Sequence, residues 1–238
     1  MNRKHLVLIF IALFSLTSCT TSQVKIKEGD LYKPITRNEV MEIADIYLKH
    51  KWRPTKKNVF HGIDKDGIRV NTPDIDSTLP SKHPGWWIPD SVNIGLPYMW
   101  GGFCSIEEFD KGIREGKYAG DIYTQYKRNN LGKAVSRYAV GIDCSGFVSR
   151  CWKLPSHHST RNLSSVANML SDATELKKGD ILNKHNAHVF LFKEFYDKEK
   201  TRATVIHATS HKVKQKQVLI RDLIEDGFKL YRYKKIVD

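Results

Sequence analysis

The feature that most limits how this chain folds is a change of period near Asp180. Downstream, apolar residues fall in short β-type runs divided by turn residues: Asp180–Asn183, His188–Lys193, Ala203–Ala208, Gln217–Ile220 and Phe228–Tyr233. Upstream they recur at helical spacing. Thr36-x-x-Glu39 has the spacing of a capping box, and Val40, Ile43, Ala44, Tyr47 and Leu48 then share one helical face that ends before Pro54. Further helices are expected at Glu107–Tyr118, at Asp121–Arg128, over 143–154 before Pro155, and over 161–170. Residues 54–97 are rich in Asp, Pro, Gly and Asn and read as an extended wrap. Helices followed by consecutive strands predict an α+β domain, its N-terminal helices packed on a central antiparallel sheet.

The N-terminus reads as an address. Arg3 and Lys4 precede an apolar run from Leu6 to Leu16, too short for the ~20 residues of a spanning helix and suited to a signal peptide. The run closes on Thr17-Ser18-Cys19, which resembles a bacterial lipobox. That resemblance implies a lipoprotein signal peptide over 1–18, lipidation of Cys19 and an envelope location. Because Thr20 is not Asp, a Gram-negative cell would place the protein on the outer membrane, facing the periplasm. Residues 20–35 then serve as a tether, within an N-terminal extension over 19–95. The 18 residues carry two cations and no acid, so cleavage lowers the net charge from +13 to +11. Such a field suits anionic surroundings. Hydrophobic residues at 40% and charged ones at 27% exclude a multi-span membrane protein and a disordered chain. The four Cys show no C-x-x-C spacing, which argues against a structural zinc site.

The chemistry converges on Cys144, His188 and His207. Asp143-Cys144-Ser145-Gly146 sits where a loop enters a helix, with Asp143 placed to cap. A thiol there feels the partial positive charge of unpaired N–H groups, which favours thiolate. Gly146 leaves room for the helix to approach a neighbouring sheet. His188 heads one expected strand and His207 lies on the next, so that on antiparallel neighbours the rings can stand side by side as base and orienting partner. The other candidates have plainer readings. His185 and His188 point differently and make no metal pair; His157-His158 lies in a polar, solvated loop. Cys151 is a packed thiol, although a Cys104–Cys151 disulfide stays open. Trp86-Trp87 reads as core packing or as a carbohydrate-stacking surface, and Lys212–Lys216 as a solvated strand face.

Four pieces, in this order, resemble the NlpC-type cysteine peptidases, bacterial cell-wall endopeptidases. They are Pro97-Tyr98-Met99-Trp100-Gly101-Gly102, Asp143 to Val148, Lys178-Gly179-Asp180-Ile181 with His188-Val189, and Ile206-His207-Ala208. The resemblance implies a circularly permuted papain-like fold over 96–238. It implies Cys144 as nucleophile, His188 as base, His207 as the third, polar member and Tyr98 near the oxyanion. It also implies Asp143 and Ser145 lining a pocket for the substrate's free amine, with Trp100 and Arg161 as further substrate contacts. No cofactor or metal is called for. The partners implied are peptidoglycan stem peptides, cut at the γ-D-glutamyl–diamino acid bond, and the membrane through the lipid anchor. An exported chain with no nucleic-acid motif gives no ground for nucleic-acid binding. Between Gly102 and Asp143 stand 40 residues, where the family has a short loop. This insertion, over 103–142, carries apolar stripes at Ile106, Phe109, Ile113 and Tyr118, and at Ile122 and Tyr126. It is therefore expected to pack on the rim and to lend the entrance the charge of Lys111, Arg114, Lys117, Lys127, Arg128, Lys133 and Arg137. An amidase or acyltransferase of the same fold, and a non-catalytic envelope lipoprotein, are the competing readings.

Overall fold

The computed structural model describes residues 32–75, 85–209 and 211–238. Cys19 and the expected signal peptide lie outside them, and no described helix is long and apolar enough to cross a membrane. The fold is mixed α+β, built on a six-stranded antiparallel sheet. Its strands are β1 (Ala167–Met169), β2 (Ile181–Lys184), β3 (His188–Phe195), β4 (Arg202–Ala208), β5 (Val213–Leu219) and β6 (Lys229–Tyr233), in spatial order β5-β4-β3-β2-β6-β1. The helices are α1 (Arg37–Lys49), α2 (Ile106–Arg114), α3 (Gln125–Asn130), α4 (Cys144–Cys151) and α5 (Ile220–Glu225).

Local chemistry sets the helix starts. At α1 the Thr36 hydroxyl accepts from the Glu39 N–H, and the Glu39 carboxylate accepts from the Thr36 N–H at 2.9 Å. This is the capping box expected from sequence. Ser105 and Glu108 do the same for α2, and Asp143 caps α4. At eight residues α4 is too short to be stable alone. Burial of Phe147, Val148 and Trp152, worth roughly 1.5–3 kcal/mol per large side chain, holds it in place. The same core takes in Val40, Ala44, Tyr47, Trp52 and Trp87, so the segment before residue 96 shares one interior with the rest. Tyr47 meets Phe147 edge-on at 6.0 Å and donates through its hydroxyl to the Cys104 carbonyl at 2.8 Å. Trp87 is fully buried against Trp52, which assigns the Trp pair to packing.

The sheet has two covered faces. Val189, Leu191, Ile206 and Ala208 pack toward α4, whereas Phe190, Phe192, Val205 and Leu230 form a second cluster. Lys214 to Gln217 are exposed on the edge strand β5, as the alternating basic stretch suggested.

Four expectations need correction. Residues 161–170 are not a helix: one 3-10 turn over Leu163–Val166 leads into β1, which pairs with β6. Ser164, Ser165 and Asn168 are weak helix formers, and a free sheet edge outbids them. The α2 helix ends at Arg114, before Gly116 with its positive φ of 79°, and not at Tyr118. The next helix starts at Gln125, because Asp121 is held in a buried pair with Lys127 and Thr124 supplies the cap. Tyr126, expected on an apolar stripe, is exposed, while Ile122 is buried.

Candidate active site

Cys144 opens α4, His188 opens β3 and His207 stands on β4. Leu191 pairs with Ile206 across β3 and β4, which sets Phe190 opposite His207 and makes the two histidines diagonal neighbours on one face. His188 Nε2 lies 2.7 Å from His207 Nδ1. The Phe190 ring packs with its centroid 4.7 Å from both imidazoles and gives the pair an apolar side. Cys144 and His188 line one cavity of about 570 Å³, together with Tyr98, Trp100, Asp143, Ser145 and Arg161. Every residue that the sequence nominated for catalysis or direct substrate contact inside the described region is thus at this cavity or, for His207, directly behind His188.

The backbone N–H groups of Val189, Ser145 and Cys144 itself favour the thiolate. Burial nonetheless dominates: it pushes the Cys144 pKa up to about 12, with Asp143 adding to the rise. Burial likewise pulls His188 down to about 4, helped by Lys216, and lowers His207 further. The resting pair is therefore neutral thiol and neutral imidazole. The sequence argued for thiolate from the helix end, but a few partial charges do not offset the burial of the sulfur. Tyr98 is buried beside Cys144 and Asp143, and its hydroxyl stays protonated.

A histidine pair has one proton to share along its axis. If Nε2 of His188 donates to Nδ1 of His207, then Nδ1 of His188 is left as a lone pair able to accept a proton. His207 then carries its own proton on Nε2, a buried atom that has no hydrogen-bond partner among the described residues.

Gly146 brings α4 against backbone, not against the sheet. A Cβ there would sit 2.0 Å from the Gly102 carbonyl oxygen, and that oxygen accepts the Asp143 N–H at 3.0 Å. The glycines of the two sequence pieces around residues 102 and 146 thus touch each other directly. Asp180 lies away from the cavity, wholly buried between Arg37 at 3.0 Å and Arg232 at 2.7 Å; it anchors the β2 entrance.

Further differences from expectation concern side chains that carry no periodic signal. His157 is only partly solvated: its Nε2 lies 3.1 Å from Ser145 Oγ and 3.2 Å from Asp143 Oδ1. Burial works against its charge, but the hydrogen bond and attraction from Asp143 raise its pKa. His158 is buried, facing the Tyr32 hydroxyl at 3.2 Å. Cys104 and Cys151 are free thiols, so no disulfide joins them. Among the described residues no cluster of three or more His, Cys, Asp or Glu is arranged to hold a metal.

The insertion divides in two. Helix α2 packs through Phe109 on Trp52, away from the cavity, whereas Tyr123, Arg128, Leu131, Gly132 and Val135 form one cavity wall. Of the seven cations expected at the entrance only Arg128 lines it. Lys127 is buried on Asp121, and Arg137 pairs with Asp66. Arg128 donates to the Asn186 carbonyl at the turn between β2 and β3, two residues before His188. His157 could not have been singled out from sequence by more than its residue type, and Arg128 stood among seven insertion cations with nothing to mark it out.

No protein-family model, curated protein or solved structure matches this chain.

Proposed function

We propose that this protein is a cysteine hydrolase of amide bonds, with a circularly permuted papain-like fold and peptidoglycan stem peptides as substrates. The observation that carries the reading is the His188–His207 pair, 2.7 Å apart, opening onto the cavity that also holds Cys144 at a helix N-terminus. The sequence resemblance to NlpC-type peptidases supports the substrate class and the bond next to γ-D-glutamate. The lipobox resemblance at Cys19 supports an envelope enzyme tethered to the membrane.

In this mechanism His188 acts as general base. It takes the proton from Cys144 as the sulfur attacks the carbonyl carbon, then gives that proton to the leaving amine. The thioester is hydrolysed by water, with His188 again accepting a proton. His207 holds the ring of His188 and favours the imidazolium formed on the way. The N–H groups at the start of α4 and the Tyr98 hydroxyl supply donors for the developing oxyanion, each worth ~2.7–4 kcal/mol in comparable sites.

Incubating the mature protein with defined stem peptides and reading the fragments by mass spectrometry tests the proposal. A single new amine and carboxyl are expected, and Cys144→Ala should abolish them while leaving the thermal melt nearly unchanged. Cleavage that survives loss of Cys144 would refute the assignment.

A further inference from the structure

The charges around the cavity are unevenly matched. Asp143 is the sole carboxylate among the described residues that line it. Its Oδ1 already accepts from the Gly146 N–H at 2.6 Å and the Ser145 hydroxyl at 2.9 Å, and it lies 3.2 Å from His157 Nε2. The His157 ring is held from its other side by Phe103, with ring centroids 5.9 Å apart. A ligand ammonium reaching for that oxygen would have to compete with the imidazole. Arg128 and Arg161 line the same cavity, and neither forms an ion pair among the described residues. Arg128 is fixed at one corner through the Asn186 carbonyl, beside the turn that leads into His188. A guanidinium carries five N–H donors, so one such contact leaves most of its fork free, and the fork matches a carboxylate.

We infer that the cavity takes an acyl donor bearing a free carboxylate on the residue whose amide is cut, as a γ-linked glutamyl residue does, read by Arg128 of the insertion, and does not select a free ammonium. The inference rests on the cysteine-hydrolase reading for its reaction, but its binding content can be tested apart from turnover. It departs from the amine pocket that the family resemblance implies for Asp143 and Ser145, because His157 already pairs with both side chains. It also gives the insertion a role that a short loop could not fill: it delivers a cation to the wall facing the hairpin turn.

The test uses four alanyl-γ-glutamyl-lysine peptides, with the alanyl amine free or acetylated and the glutamyl carboxyl free or as carboxamide. For the full mature enzyme, kcat/KM should fall at least ~10-fold from carboxylate to carboxamide. Acetylation should leave it undiminished. Arg128→Gln should bring the carboxylate-to-carboxamide ratio close to one, and Arg128→Lys should restore part of it. His157→Ala should shift preference toward the free amine. Calorimetric titration of the Cys144→Ala protein with the same four peptides supplies the arm that needs no catalysis. Binding with this ranking but no cleavage by the wild type would sink the hydrolase reading and keep the cavity assignment. Cleavage that requires the free amine, or that ignores the carboxylate, would overturn the inference and leave the hydrolase reading standing. Failure of both binding and cleavage for all four peptides would overturn both.

Discussion

Replacing Gly146 by alanine asks whether the approach of α4 to the Gly102 backbone sets the position of Cys144. Helix propensity alone says that the change should stabilise, by roughly 0.5–1 kcal/mol for a helix-interior glycine. The structure says the opposite. The new Cβ would lie 2.0 Å from the Gly102 oxygen and 3.2 Å from Asp143 Oδ1, whereas ordinary contact begins at 3.4 Å. One side must therefore retreat by about 1 Å or more. Gly102 has little room, since its own Cβ direction is blocked at 2.6 Å by the Gly141 oxygen. Overpacking of this kind destabilises by ~1–3 kcal/mol, and a rigid backbone neighbour puts it toward the upper end. After the propensity gain, a net loss of about 1–2 kcal/mol remains. For a domain of this size that is a Tm lower by about 3–8 °C. The functional effect should be larger: a nucleophile displaced by ~1 Å can lose ~100-fold in rate. Thermal melting by circular dichroism and kcat/KM on a stem peptide are the two readouts. A raised Tm with undiminished kcat/KM would show that the α4–Gly102 contact does not govern the site.

Two other outcomes can be checked directly. His188→Asn should be inactive, because an amide cannot exchange the proton, while His207→Asn should keep more kcat than His207→Ala, because an amide oxygen can still accept from His188 Nε2; equal losses in all three variants would contradict this division of roles. A Cys144 thiol raised to about 12 is almost wholly protonated at neutral pH, and since thiolate is the reactive form, labelling by iodoacetamide should climb ~10-fold per pH unit from 7 to 10; a rate already at its plateau at pH 7 would point to a resting thiolate.

The parts of this protein that were legible in its sequence are those set by neighbours in the chain. The Thr36–Glu39 capping box, the Asp143 cap and the strands carrying His188 and His207 each depend on contacts within a few residues or on a short repeat. Five of the six strands of the antiparallel sheet followed from the switch of period. Tertiary structure decided everything that joins distant, aperiodic segments. The turn beyond Pro155 brings His157 back onto Asp143, 14 residues earlier, and the insertion carries Arg128 to Asn186, 58 residues later. Residues 167–169 became an edge strand because β6 left a row of backbone groups open beside them. The protonation of Cys144 and His188 was also decided there, since desolvation depends on how completely the surrounding segments close over a group. Local sequence encodes direction and partial charge at a helix end, whereas the loss of water around that end is a property of the whole fold.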